Sequence, residues 1–201
     1  MALKFAVNNS LSAITSLPSG ISGGALNLIS TQTASSSASI SFTSGIDSTY
    51  DSYVFKFIDI HPQNNNVHLT FNFSTDGGSN YNVSKTSTHF QARHREDDSS
   101  TDLSYQTPRD LANGTGYQDV MDDFFNDNDS SAVGTIHLFN PSSTTFVKHF
   151  IGNSNFMNSL SQTINTFYAG YCNTTSAINA VDFKMDSGNI DSGIIKMYGV
   201  S

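Results

Sequence analysis

The 201 residues include a single cysteine, Cys172, so neither an intrachain disulfide framework nor a cysteine-cluster zinc site can be built. Tryptophan is absent, which removes the side chain most used for stacking on sugar rings. Charged residues make up 13% of the chain, about half the usual share. Only nine are Lys or Arg, too few to neutralise a phosphate backbone, so nucleic acid is not an expected partner. The formal net charge of −8 also disfavours an anionic membrane surface. No apolar run approaches the ~20 residues of a membrane span. The opening segment has one Lys and no continuous apolar stretch, so no secretory signal is expected. The H-E-x-x-H helix, the P-loop, the dinucleotide fingerprint and the G-x-S-x-G elbow are all missing.

Fifteen Phe and eight Tyr are enough to fill a core, while Ser, Thr, Asn and Gly supply the polarity. That is the composition of a β protein with many turns. Residues 1–25 show no sustained periodicity and end near Pro18 and the Gly23-Gly24 pair. They are expected to form an arm whose scattered apolar residues, Phe5, Val7, Leu11, Ile14 and Leu17, could dock on a neighbouring subunit.

Residues 26–201 alternate strand and turn. "SASISFT" and "NVHLTFNFS" show the period of two expected of half-buried strands. "SYVFKFIDIHP" is apolar on both faces, as a central strand would be, and Pro62 ends it. "TDGGSNYN" reads as a hairpin-type turn leading to the strand "THFQARHRE". Residues 97–131 lack periodicity and are expected to be a long excursion with at most one short helix. "AVGTIHLFNP", "TTFVKHFIG", "INTFYAGYCN", "INAVDFKMDS" and "SGIIKMYGVS" complete a set of about ten strands. The pattern predicts an all-β fold, an antiparallel β-sandwich of jelly-roll type with an extended N-terminal arm.

The densest ionisable run is "HFQARHREDD", His89–Asp98. In extended backbone the apolar pair Phe90 and Ala92 marks a core side, shared with His94, and places His89, Gln91, Arg93 and Arg95 outward. His89 and His94 then lie on opposite faces and do not form a metal pair. A solvated strand end follows, with Arg93 and Arg95 free to make bidentate contacts across an interface. "DDFFNDND" (122–129) mixes Asp with Asn but lacks the EF-hand pattern, so an acidic loop is preferred to a calcium site. The aspartates Asp47, Asp51, Asp122, Asp123, Asp127 and Asp129 fall in expected loops rather than on inward faces, which argues against a paired-carboxylate glycosidase. Cys172, within "FYAGYCNTT", reads as a buried core thiol. No cofactor, metal or catalytic residue is assigned.

"LISTQTASSSASISFTSGIDSTYDSYVFKFIDIHP", "STDGGSNYN", "LFNPSSTTFVKHF", "AGYCNTTSAINAVDFKMDSGNID" and "IKMYGVS" together resemble a family of virion structural proteins of marine tailed bacteriophages. The resemblance covers about residues 26–201 and brings no catalytic residues with it. It implies a capsid-decorating (cement) or fibre-associated particle component, assembled in the host cytoplasm. Its partners would be the major capsid protein or other virion proteins, with a homo-oligomer, a trimer by preference. The alternative is a tail-fibre or receptor-binding component holding a host surface glycan, with residues 97–131 as the contact through Tyr105, Tyr117 and the Asp cluster.

Overall fold

The computed structural model describes residues 26–200. Twelve strands build it: β1 (Asn27–Ser37), β2 (Ile40–Phe42), β3 (Ser52–Pro62), β4 (Val67–Ser74), β5 (Lys85–Arg95), β6 (Thr101–Tyr105), β7 (Gln118–Phe124), β8 (Ala132–Phe139), β9 (Lys148–Met157), β10 (Gln162–Cys172), β11 (Ala180–Met185) and β12 (Ile190–Val200). One short 3-10 turn, Thr107–Arg109, is inserted after β6. All pairings are antiparallel. The larger sheet runs β1-β12-β3-β8-β9-β10-β5-β6 and the smaller β2-β11-β4-β7.

The eight strands β1, β2, β3, β4, β7, β8, β11 and β12 form two four-stranded orders between which the chain repeatedly crosses, the arrangement of a jelly roll. Two insertions modify it. β5 and β6 lie between β4 and β7 in sequence, and β9 and β10 between β8 and β11. These four strands pair with one another and extend one sheet to twice the width of the other.

Aromatic rings fill the space between the sheets. Phe183 of β11 packs against Phe55 and Phe57 of β3 at 5.5 and 5.3 Å, and against Phe42 and Phe71 at 6.3 Å. Phe150 of β9 meets Phe71 and Phe73 of β4 at 5.3 and 5.9 Å, which joins the inserted strands to the same core. Tilted and edge-on ring pairs at these separations add to the effect of simple burial.

Several expectations are corrected. The described residues form twelve strands, and both β6 and β7 lie inside the segment expected to be an excursion. β7 carries two register shifts against β4, so the sequence "QDVMDDF" loses the alternation by which a strand is recognised. Residues 75–84 do not close a hairpin, because β4 and β5 belong to different sheets and the connection crosses between them. Gly77 and Gly78 there do adopt positive φ, as the turn required. Residues 1–25, including Phe5, Val7, Leu11, Ile14 and Leu17, lie outside the described residues.

Phe183 touches rings of both sheets, so Phe183→Ala is expected to lower unfolding free energy by ~3–5 kcal/mol. Urea denaturation of the purified chain measures this, and the slope of the transition should not change.

Candidate functional site

β5 alternates in the opposite sense to the one its sequence suggests. His89 and Gln91 are fully buried, whereas Phe90 faces outward and is 40% exposed. Ala92 is half-buried on that outer face, and Arg93 is half-buried on the inner side. The reason lies across the sandwich. β7 is the outer strand of the smaller sheet, and its free edge meets the inner face of β9, β10 and β5. A buried strand edge leaves peptide groups that need partners. Side chains of the larger sheet supply them: Ser154 Oγ and Thr166 Oγ1 both donate to the carbonyl of Val120, at 2.7 and 2.9 Å. Ser87 Oγ donates to Gln118 Oε1 at 2.5 Å, and Gln91 Nε2 donates to Asp122. A polar seam therefore stands where a single-strand reading expects hydrocarbon.

Arg109 closes this seam. The segment after β6 keeps following the edge of β5, with Gln106 N–H donating to His89 O and Ser87 N–H to Leu111 O. The 3-10 turn between these contacts directs Arg109 inward. Its Nε donates to the buried carboxylate of Asp122 at 3.2 Å, and Nη1 and Nη2 lie 3.6 and 3.8 Å from Asp119 and Asp123. One guanidinium thus offsets three carboxylates on a single bulged strand. Asp122, expected in an exposed loop, is buried on β7. Arg93 donates to Gln91 Oε1 and extends the seam toward solvent. Only the far end of the run is the wet strand end that was expected, where Arg95 pairs with Asp97 at 3.4 Å and His94 with Asp98 at 3.1 Å.

Two histidines border the seam with opposite signs. Burial opposes charge on His68, but hydrogen bonding to Asp119 and the charges of Asp119 and Asp186 outweigh both burial and Arg109, and its pKa is raised. Nδ1 of His68 lies 3.4 Å from Asp119 and 3.0 Å from Arg109 Nη1, and it serves one of them at a time: the carboxylate when protonated, the guanidinium when not. His89 is stacked on Tyr168, with ring centroids 6.2 Å apart, and neither ring nitrogen has a hydrogen-bond partner among the described residues. Burial holds its pKa below the usual 6.5, against the pull of Asp122 and Asp119.

Among the described residues no three His, Cys, Asp or Glu side chains converge as a metal site requires. Burial pushes the Cys172 thiol up to about 12, against the pull of Lys85 and Lys148, so it stays protonated and unreactive. Tyr117, expected to be a free loop aromatic, donates its hydroxyl to Asp182 at 2.9 Å.

Reversing β5 changes the outer face of the extension. Across β6, β5, β10, β9 and β8 the outward rows read Tyr105–Phe90–Phe167–Asn153–Thr135 and Leu103–Ala92–Asn165–Asn155–Val133. The next row is Thr88–Ala169–Ile151–His137, followed by Thr86–Tyr171–His149. No Asp, Glu, Lys or Arg occurs in these rows, although the chain holds 26 charged residues. Phe90 and Phe167 stack at 5.0 Å, and Leu103 and Ile151 are 72% and 56% exposed. An open cleft of about 540 Å³ adjoins this face at the strand ends, lined by His94, Asn155, Gln162 and Thr163 among others.

Comparison with protein-family models, with curated proteins and with solved structures returned no match.

Asp122→Ala leaves Arg109 and Gln91 facing an empty acceptor and is expected to lower stability by about 3 kcal/mol in urea denaturation. The histidines should separate by pH. Burial lowers the His89 pKa in the fold, so its contribution is present above pH 6.5 and is lost as pH falls from there through the lowered folded value. The contribution of His68 is present below pH 6.5 and lost as pH rises through its raised folded value. Stability measured across this range should show His89→Phe reducing the acid-side loss and His68→Gln the alkaline-side loss. Cys172 should react with a thiol reagent only on unfolding, and rapid labelling of the folded chain would contradict its burial.

Proposed function

We propose that this chain is a virion structural protein, a decoration subunit that holds to the outer capsid shell and to neighbouring copies rather than catalysing a reaction. The observation that carries the proposal is the charge-free outer face of β5, β6, β8, β9 and β10. A chain of net charge −8 repels its own copies over most of its surface. On this face no formal charge opposes contact, and exposed Phe, Leu, Ile, Val and Tyr side chains gain by leaving water. Five strands spaced ~4.8 Å apart and averaging about nine residues at ~3.3 Å each give ~700 Å² per copy. Two such faces would bury ~1,400 Å², within the range of specific protein interfaces. The resemblance to virion structural proteins of marine tailed bacteriophages supports the same reading. In it residues 1–25 are an arm reaching the major capsid protein, while Arg93, turned inward to Gln91, and Arg95, paired with Asp97, take no part in the subunit contact that the sequence suggested for them.

The alternative of a tail-fibre or receptor-binding component draws on the same surface. Asn153, Asn155, Asn165 and Thr163 next to Phe167 offer uncharged hydrogen bonds beside an apolar ring, a combination that suits a neutral glycan, and the adjoining cleft has room for one. Copy number in purified particles separates the two readings: hundreds per particle for a shell subunit, tens or fewer for a tail component.

Ile151→Asp puts a charge in the middle of the face and should reduce the oligomer to monomer in light scattering, with the melting temperature unchanged. An oligomer of unchanged mass would remove the face from the contact.

A further inference from the structure

Lys85 and Asn72 form the least expected contact in the interior. Both are fully buried, on β5 of the larger sheet and β4 of the smaller. Lys85 Nζ lies 2.5 Å from Asn72 Oδ1 and 2.8 Å from the carbonyl of Val83, so its two hydrogen bonds both go to neutral acceptors. An ammonium buried without a carboxylate is expensive, and such an amine tends to shed its proton.

The amide of Asn72 is held from both ends. Its Oδ1 also accepts from the backbone N–H of Phe73 at 2.9 Å, so two donors converge on the carbonyl oxygen and draw electron density from Cγ. Its Nδ2 donates to the carbonyls of Tyr81 and Thr115, at 2.7 and 3.0 Å, which fixes the plane of the group. A nitrogen nucleophile, a polarised carboxamide and a donor where negative charge would develop therefore meet in a site closed to water. These are the components of acyl transfer.

We propose that Lys85 and Asn72 become joined by an intramolecular isopeptide bond, formed when Nζ attacks Cγ and ammonia leaves. Neutral Nζ adds to Cγ, and the oxyanion forms on Oδ1 beside the Phe73 N–H. The Cγ–Nδ2 bond then breaks, and Nδ2 departs as ammonia carrying the proton given up by Nζ. The products are one secondary amide and one ammonia, and no oxidant or reductant is needed. Burial pulls the Lys85 amine down to about 8, so at neutral pH far more of it is in the attacking form than for an exposed lysine. The new bond would tie β4 to β5, residues thirteen apart in sequence, and so staple the two sheets in a chain with no disulfide available. This inference is independent of what the outer face binds.

Intact mass spectrometry of the full chain, held folded at mildly alkaline pH, tests the bond. The expected mass is lower than that of the sequence by one ammonia. Trypsin should leave Phe57–Arg93 as one uncleaved peptide carrying that loss, because an acylated Lys85 is no longer a cleavage site. Lys85→Arg keeps a buried cation and should restore the full mass, whereas ammonia loss by cyclisation at Asn113-Gly114 would persist in that variant. A wild-type chain of full mass that is cleaved after Lys85 would overturn the proposal, and this result does not depend on whether the variant folds.

Discussion

The architecture depends on how the free edge of β7 is covered. A jelly roll with sheets of equal width leaves its edges at the surface, where water can serve the peptide groups. Here one sheet is doubled in width by β5, β6, β9 and β10, and the edge of the narrower sheet is buried beneath it. Hydrocarbon cannot pair with the Val120 carbonyl or the Asp122 carboxylate. Ser154, Thr166, Gln91 and Ser87 can, and Arg109 seals the row against three aspartates. The polar residues of the extension are therefore turned inward because β7 requires it.

The outward consequence follows from the period of two. Turning His89 and Gln91 to the seam forces Phe90 to the surface, and the same parity carries Phe167, Ile151 and Val133 outward on the neighbouring strands. None of the charged groups falls in the outer rows of the extension, which leaves a broad neutral sheet face on an acidic molecule. The interior supports rigidity: Cys172 stays protonated, His89 stays neutral, and Tyr117 is tied to Asp182.

Much of this was legible in the sequence, and the failures share one cause. β3, β4, β8, β11 and β12 could be placed because each packs against hydrocarbon, so that apolar parity marks the core. The class of fold followed from them. The same rule misassigned β5, since "HFQAR" presents its apolar pair to solvent and its polar residues to another strand's edge. It missed β7 because two bulges erase the alternation in "QDVMDDF". It also placed Asp122 in a loop, although no local signal distinguishes this aspartate from Asp123 beside it. Burial of a carboxylate is decided by Gln91 and Arg109, thirty-one and thirteen residues away in sequence. Pairing across such distances leaves no mark in a local pattern. The Lys85–Asn72 contact is hidden for the same reason: Asn72 lies between Phe71 and Phe73 and Lys85 among Ser and Thr, and only the crossing of the chain between sheets brings them together.

If the seam makes the extension part of one cooperative body, amide hydrogen exchange under native conditions should reveal it. The amides of β5, β9 and β10 should then exchange with the same free energy as those of β3, β4 and β11, through global unfolding alone. Exchange of β5, β9 and β10 as a separate unit, at clearly lower free energy than the eight jelly-roll strands, would contradict the central role given to the β7 edge.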